Sequence, residues 1–169
     1  TPACKGTLTE FSDLTQLNGA LAIMKWQWDF GDAGSGTSNF STLQNPEHAF
    51  VATGNSIVKL IVTNGNGCID SVKRTIKVTV PPLVNFNTSQ NCQNKAVSFI
   101  PDATVMNIAS IASWYWEFGS GVTSVLQNPK HIFSTAGAYN VKLTVVDTSG
   151  CTNSISKPVI IASEPVVSF

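Results

Sequence analysis

The sequence predicts an all-β protein made of two tandem immunoglobulin-like β-sandwiches. Three observations predict it: an internal duplication, short runs alternating at period two around paired tryptophans, and glycine- and asparagine-rich turns between those runs. Cys4 and Cys92, Phe11 and Phe99, Trp26 and Trp114, and Trp28 and Trp116 are each 88 residues apart. From Leu43 and Leu126 onward the offset is 83, and it holds for His48 and His131, Lys59 and Lys142, and Cys68 and Cys151. The change of five residues falls between Gly31 and Leu43, where Asp32-Ala33-Gly34-Ser35-Gly36-Thr37 reads as an enlarged loop. Residues 43–68 and 126–151 share 13 of 26 positions, far above chance, so the second half copies the first.

Within each copy the elements follow from the pattern. Trp26, Trp28 and Phe30 alternate with Gln27 and Asp29, and Trp114, Trp116 and Phe118 alternate with Tyr115 and Glu117. A strand sends alternate side chains to opposite faces, so the aromatics share one face and form the candidate core. In a second strand Val58, Leu60 and Val62 face inward, matched by Val141, Leu143 and Val145. Asn64-Gly65-Asn66-Gly67 and Thr148-Ser149-Gly150 supply turn residues after these runs. In copy one, residues 72–80 complete a hairpin. Residues 14–24 lack helical periodicity and read as a loop. The boundary falls at Pro81-Pro82, which gives units at 1–80 and 81–163 with a stiff joint. Copy one lacks a first strand. Pro165-Val166-Val167-Ser168-Phe169 repeats Pro82-Leu83-Val84-Asn85-Phe86 and reads as the start of a third repeat at 164–169.

Composition narrows the function classes. Charged residues are only 12% of the chain, with ten of each sign. Neither copy has a surplus of basic residues to neutralise phosphates, which argues against nucleic acid as a partner. No apolar run is long enough to span a membrane.

Each copy holds two cysteines at matching positions, which points to one disulfide per unit, Cys4–Cys68 and Cys92–Cys151. That would place the chain outside the cell or on its surface. Free thiols are the other reading; zinc is disfavoured because no CxxC pair exists.

Trp28-Asp29-Phe30-Gly31-Asp32, Asn45-Pro46-Glu47-His48-Ala49-Phe50 and Val58-Lys59-Leu60-Ile61-Val62 resemble the PKD (polycystic kidney disease) repeat. Copy two matches through Trp116-Glu117-Phe118-Gly119, Pro129-Lys130-His131-Ile132-Phe133 and Gly137 to Val145. The resemblance implies a seven-stranded sandwich serving as an extracellular spacer or interaction module. Glu117 and Ser120 stand where the family has two aspartates, and Ser56 where it has the tyrosine that Tyr139 supplies.

No enzymatic constellation is expected. The two histidines, His48 and His131, are one position in two copies and read as packing or turn-bonding residues. Asp29 and Asp32 could form an acid/base pair or two ligands of a calcium site, which would need more oxygens. The alternative has Asp32 bonding the glycine-rich turn and Asp29 on the outer face. Trp28, Trp116, Phe30 and Phe118 read as core, with a sugar-stacking platform as the competing role for the tryptophans. Ile57, Ile61 and Tyr115 face outward and are candidate surface contacts. Asn39-Phe40-Ser41, Asn87-Thr88-Ser89 and Asp70-Ser71-Val72 fit glycosylation patterns.

The leading expectation is thus a non-catalytic, cofactor-free segment of a large cell-surface adhesin. It would act as a rigid spacer whose partners are neighbouring repeats and extracellular protein or polysaccharide. The alternative is an accessory module pair of a secreted polysaccharide hydrolase or protease.

Overall fold

A computed structural model describes residues 3–17, 19, 21–102, 108–119, 121–165 and 168. The chain divides into two compact units, Thr1–Val80 and Pro81–Phe169. The proposed third-repeat start at 164–169 lies partly outside the described residues.

Unit 1 contains β1 (Ala3–Cys4), β2 (Leu8–Glu10), β3 (Ile23–Asp29), β4 (Phe40–Ser41), β5 (Glu47–Ala49), β6 (Gly54–Asn64) and β7 (Ile69–Thr79). They form a five-stranded sheet, in the order β1-β7-β6-β3-β4, and the pair β2-β5. β3 lies antiparallel to β6 with Trp28 opposite Leu60, and β6 forms a long hairpin with β7. The enlarged loop after β3 is a 3₁₀ segment, Ala33–Asn39. The core gathers Trp28, Phe30, Phe50, Val58, Leu60, Val62 and Val78, with Phe11 and Trp26 packed against it.

Unit 2 contains β8 (Phe86–Thr88), β9 (Ala96–Pro101), β10 (Ile111–Glu117), β11 (Thr123–Ser124), β12 (Lys130–Ile132), β13 (Gly137–Asp147) and β14 (Thr152–Ile161). The sheets run β11-β10-β13-β14 and β12-β9-β8. The register repeats that of unit 1, with Trp116 opposite Leu143 on β13. Phe86, Phe99, Trp116, Phe118, Phe133 and Leu143 all lie in one core.

Two local devices recur and explain why the motifs are written as they are. Each core tryptophan carries one polar atom into an apolar layer, where an unbonded N–H would cost free energy. Trp28 Nε1 donates to Leu43 O at 3.0 Å, and Trp116 Nε1 donates to Leu126 O at 3.0 Å. The glycine closing each aromatic strand sits at positive φ, +67° for Gly31 and +77° for Gly119. A Cβ on Gly31 would come within 2.6 Å of Ile57 O, and one on Gly119 within 3.0 Å of Asn140 O. The strand can turn against its neighbour only where no side chain intervenes.

The cysteines require a correction. Cys68 and Cys92 are free thiols, whereas Cys4 and Cys151 are in disulfide form. The pairs Cys4–Cys68 and Cys92–Cys151 are therefore absent, and strand geometry shows why. Cys4 pairs in register with Thr79 at the far end of β7, whereas Cys68 immediately precedes the start of that strand. A strand of that length advances about 35 Å, while a disulfide needs its Cα atoms within about 7 Å. Unit 2 repeats the separation, since Cys92 bridges Ala162 and Cys151 precedes β14. Each unit thus holds its two cysteines at opposite ends.

Candidate functional site

The most chemically loaded cluster lies where the turn after β3 meets β5. His48 is carried inward on β5, stacked on Phe30 at 4.3 Å and set edge-on to Phe50 at 4.7 Å. Its Nε2 lies 3.0 Å from Asp32 Oδ2, and that oxygen also accepts from Val51 N at 2.8 Å. Both side chains are buried, with 2% and 0% of their surfaces exposed. Asp32 Oδ1 has no hydrogen-bond partner among the described residues. Asp29 turns elsewhere: its Oδ1 accepts from Gly31 N and from Asn39 Nδ2, both at 2.9 Å. Asn39 Oδ1 in turn accepts from Asp32 N at 2.6 Å.

This is a turn-locking network. Asp32 leaves the glycine-rich loop to bind His48 and the backbone after β5, so it clamps two crossings of the chain together. The two carboxylates do not converge on one point. Asp29 spends an oxygen on its own turn, and the Asp32 carboxylate is buried against the histidine. Among the described residues no group of three or more His, Cys, Asp or Glu is placed to hold a metal.

In unit 2 the aromatic frame persists while the clamp changes. His131 stacks on Phe118 at 4.6 Å and meets Phe133 edge-on at 4.4 Å. Removal from water holds its pKa below the ordinary histidine value. Glu117, at the position of Asp29, pairs with Lys142 at 3.3 Å on the exposed face.

Trp28 and Trp116 lie in the cores and offer no stacking platform to solvent. Tyr115 is 44% accessible on the outer face of β10, and Phe40 on β4 is 61% exposed. Ile57 is exposed and Ile61 half-buried on the outer face of β6. Their cross-strand neighbours are polar, Thr75 for Ile57 and Ser71 and Gln27 for Ile61. The two isoleucines are therefore separate apolar points and not a continuous patch.

The first strand expected to be missing from copy one corresponds to an open edge in unit 1. An open groove of ≈ 540 Å³ runs along unit 1 between residues 9–16 and β7, floored by Trp28, Val58, Leu60 and Val62.

The model of the PKD domain matches twice, over residues 1–80 and 79–161. The chain belongs to the PKD domain family. Among curated proteins, this PKD pair is 33% identical over 87 residues to Collagenase ColA of Bacillus cereus, a match covering 51% of the chain and 9% of that protein. It is 29% identical over 83 residues to a microbial collagenase of Vibrio alginolyticus, covering 49% of the chain and 10% of the relative. The matched stretch thus spans about a tenth of these proteins. Among solved structures, the PKD1 domain of Vibrio anguillarum Epp is 27% identical with a TM-score of 0.44, covering 50% of this chain and 96% of that one. Fibronectin(III)-like modules of Clostridium thermocellum CbhA give 12% identity and a TM-score of 0.51, over 99% of this chain and 94% of theirs. That likeness concerns the fold alone.

Proposed function

We infer that this PKD pair is a non-catalytic accessory segment of an extracellular protein-degrading enzyme, where it engages a fibrous protein substrate. The observation that carries the reading is the 33% identity to Collagenase ColA over one module length. It favours the accessory role over the adhesin spacer, since the curated relatives reported above are collagenases. The chemistry of the units agrees with a binding role. His48, with its carboxylate partner Asp32, is shut inside a core where no substrate bond can reach it. The disulfide form of Cys4 and Cys151 suits an oxidising, extracellular compartment.

Co-sedimentation of the 169-residue chain with insoluble collagen fibres, beside cellulose and chitin, tests this reading. Saturable binding to collagen above that to either polysaccharide is expected. Binding to the polysaccharides alone would reassign the pair to a polysaccharide hydrolase, and binding to none would favour the spacer role.

A further inference from the structure

The two units differ at one sheet edge, and the difference is specific enough to name what belongs there. In unit 2, β8 pairs antiparallel with β9, with Asn87 opposite Ile100. Asp102 N donates to Asn85 O at 3.0 Å, which extends the contact beyond the strand. The Phe86 ring enters the core 5.2 Å from Trp116 and 6.2 Å from Phe99. Lys157, reaching over from β14, donates from Nζ to Phe86 O at 2.9 Å and sits 5.1 Å from the centre of the same ring. One cation therefore holds both the backbone and the face of the inserted residue.

In unit 1 the counterpart of β9 is β2, which among the described strands pairs only with β5. The groove occupies the place that β8 fills in unit 2, since its two walls are the counterparts of β9 and β14. Phe11 stands where Phe99 stands, and Arg74 lies 83 residues before Lys157, at the repeat offset. Side chains sealed in unit 2 are less well covered here. Phe99, Trp116 and Leu143 are fully buried, whereas Phe11 is half-buried, Trp28 is 6% exposed and Leu60 is 7% exposed. Val72 on β7 is 50% exposed. An unpaired strand edge beside an apolar floor, with a cation on the opposite wall, is a seat for an extended peptide.

We propose that this groove receives a β-strand joined ahead of Thr1, whose phenylalanine inserts between Phe11 and Trp28 and is clamped by Arg74. Thr1 aligns with Ser89, so a copy of residues 82–88 placed before Thr1 would have the spacing that unit 2 uses. The strand completes unit 1 and makes the stability of this unit depend on the chain preceding it. The inference is independent of what the whole protein acts on.

The test compares the 169-residue chain with one carrying Pro-Leu-Val-Asn-Phe-Asn-Thr, the sequence of residues 82–88, fused before Thr1. Phe99 N donates to Pro129 O on the side away from β8, so in an antiparallel ladder the amide of Ile100 faces β8. The corresponding amides in unit 1 are Ser12 and, matching Asp102, Leu14. Amide exchange at Ser12 and Leu14 should slow at least tenfold in the fused chain, and acrylamide quenching of Trp28 should fall. Replacing the added phenylalanine by alanine, or Arg74→Ala, should remove most of the protection. Unchanged exchange at both amides in the fused chain would overturn the proposal. So would concentration-dependent self-association of the unfused chain that survives the fusion, because the groove would then belong to a second copy.

Discussion

Replacing Trp116 by alanine would remove the largest fully buried side chain of unit 2. Its indole lies 5.6 Å from Phe99, 6.4 Å from Phe118 and 5.2 Å from Phe86, ring centre to ring centre. None of these neighbours can collapse into the space without leaving its own place. Deleting a buried aromatic side chain costs about 3–5 kcal/mol, more where the site cannot relax. The closed environment puts Trp116→Ala near the top, at about 5 kcal/mol. Trp28 borders the open groove, where water can enter the space and less of a dry cavity is left, so Trp28→Ala should cost about 3 kcal/mol. For a domain of this size each kcal/mol moves the melting temperature by about 4–8 °C, so unit 2 should melt more than about 20 °C lower in Trp116→Ala. Trp116→Phe separates packing from the hydrogen bond to Leu126 O and should cost about 1 kcal/mol for the bond plus a smaller packing loss. Urea denaturation followed by resolved NMR signals from each unit reads all three. A loss under about 1.5 kcal/mol for Trp116→Ala, or a larger loss for Trp28→Ala, would refute the contrast between a sealed and an open core.

Two further predictions test chemistry specific to one unit. His131 has a folded pKa below its ordinary value because it is removed from water. As pH falls, the unfolded chain therefore takes up the proton first. The stability contributed by neutral His131 is complete above the unfolded pKa, near 6.5. It is lost progressively below that pH and levels off once the folded pKa is passed. His131→Gln should flatten this part of the pH–stability curve of unit 2, and an unchanged slope would show that another group titrates there. For the cysteines, maleimide labelling of the unreduced protein should modify Cys68 and Cys92 and spare Cys4 and Cys151. Recovery of a Cys4–Cys68 or Cys92–Cys151 peptide pair would contradict the strand register of both units.

Much of the architecture was legible because period-two alternation is a direct record of which side chains face inward. Trp28 and Phe30 announce a buried face from spacing alone, and the duplication repeats the statement at Trp116 and Phe118. The cysteines were misread because matching positions in two copies record equivalence and say nothing about distance. Cys68 and Cys4 look like partners until β7 is seen to run its full length between them. The Asp32–His48 clamp joins residues sixteen positions apart across a loop with no periodicity, so no local pattern carries it. Its one trace in the sequence is that Asp32 appears only in the copy with the enlarged loop. The open edge of unit 1 was legible from the first strand that copy one lacks, whereas the groove's apolar floor was not, because alternation tells which residues face a core but not whether a strand covers them.

The central proposal, that this PKD pair engages a fibrous protein, is tested most directly by changing one exposed ring that was a candidate surface contact. Tyr115 is 44% accessible and sits opposite Thr144 on β13, so Tyr115→Ser alters the outer face without touching the core. An exposed tyrosine is the kind of residue that anchors protein contacts. The isotherm for insoluble collagen should shift to about tenfold weaker affinity in Tyr115→Ser, consistent with loss of one such anchor, with the melting temperature unchanged. An isotherm identical to that of the unaltered chain would contradict the claim for this face.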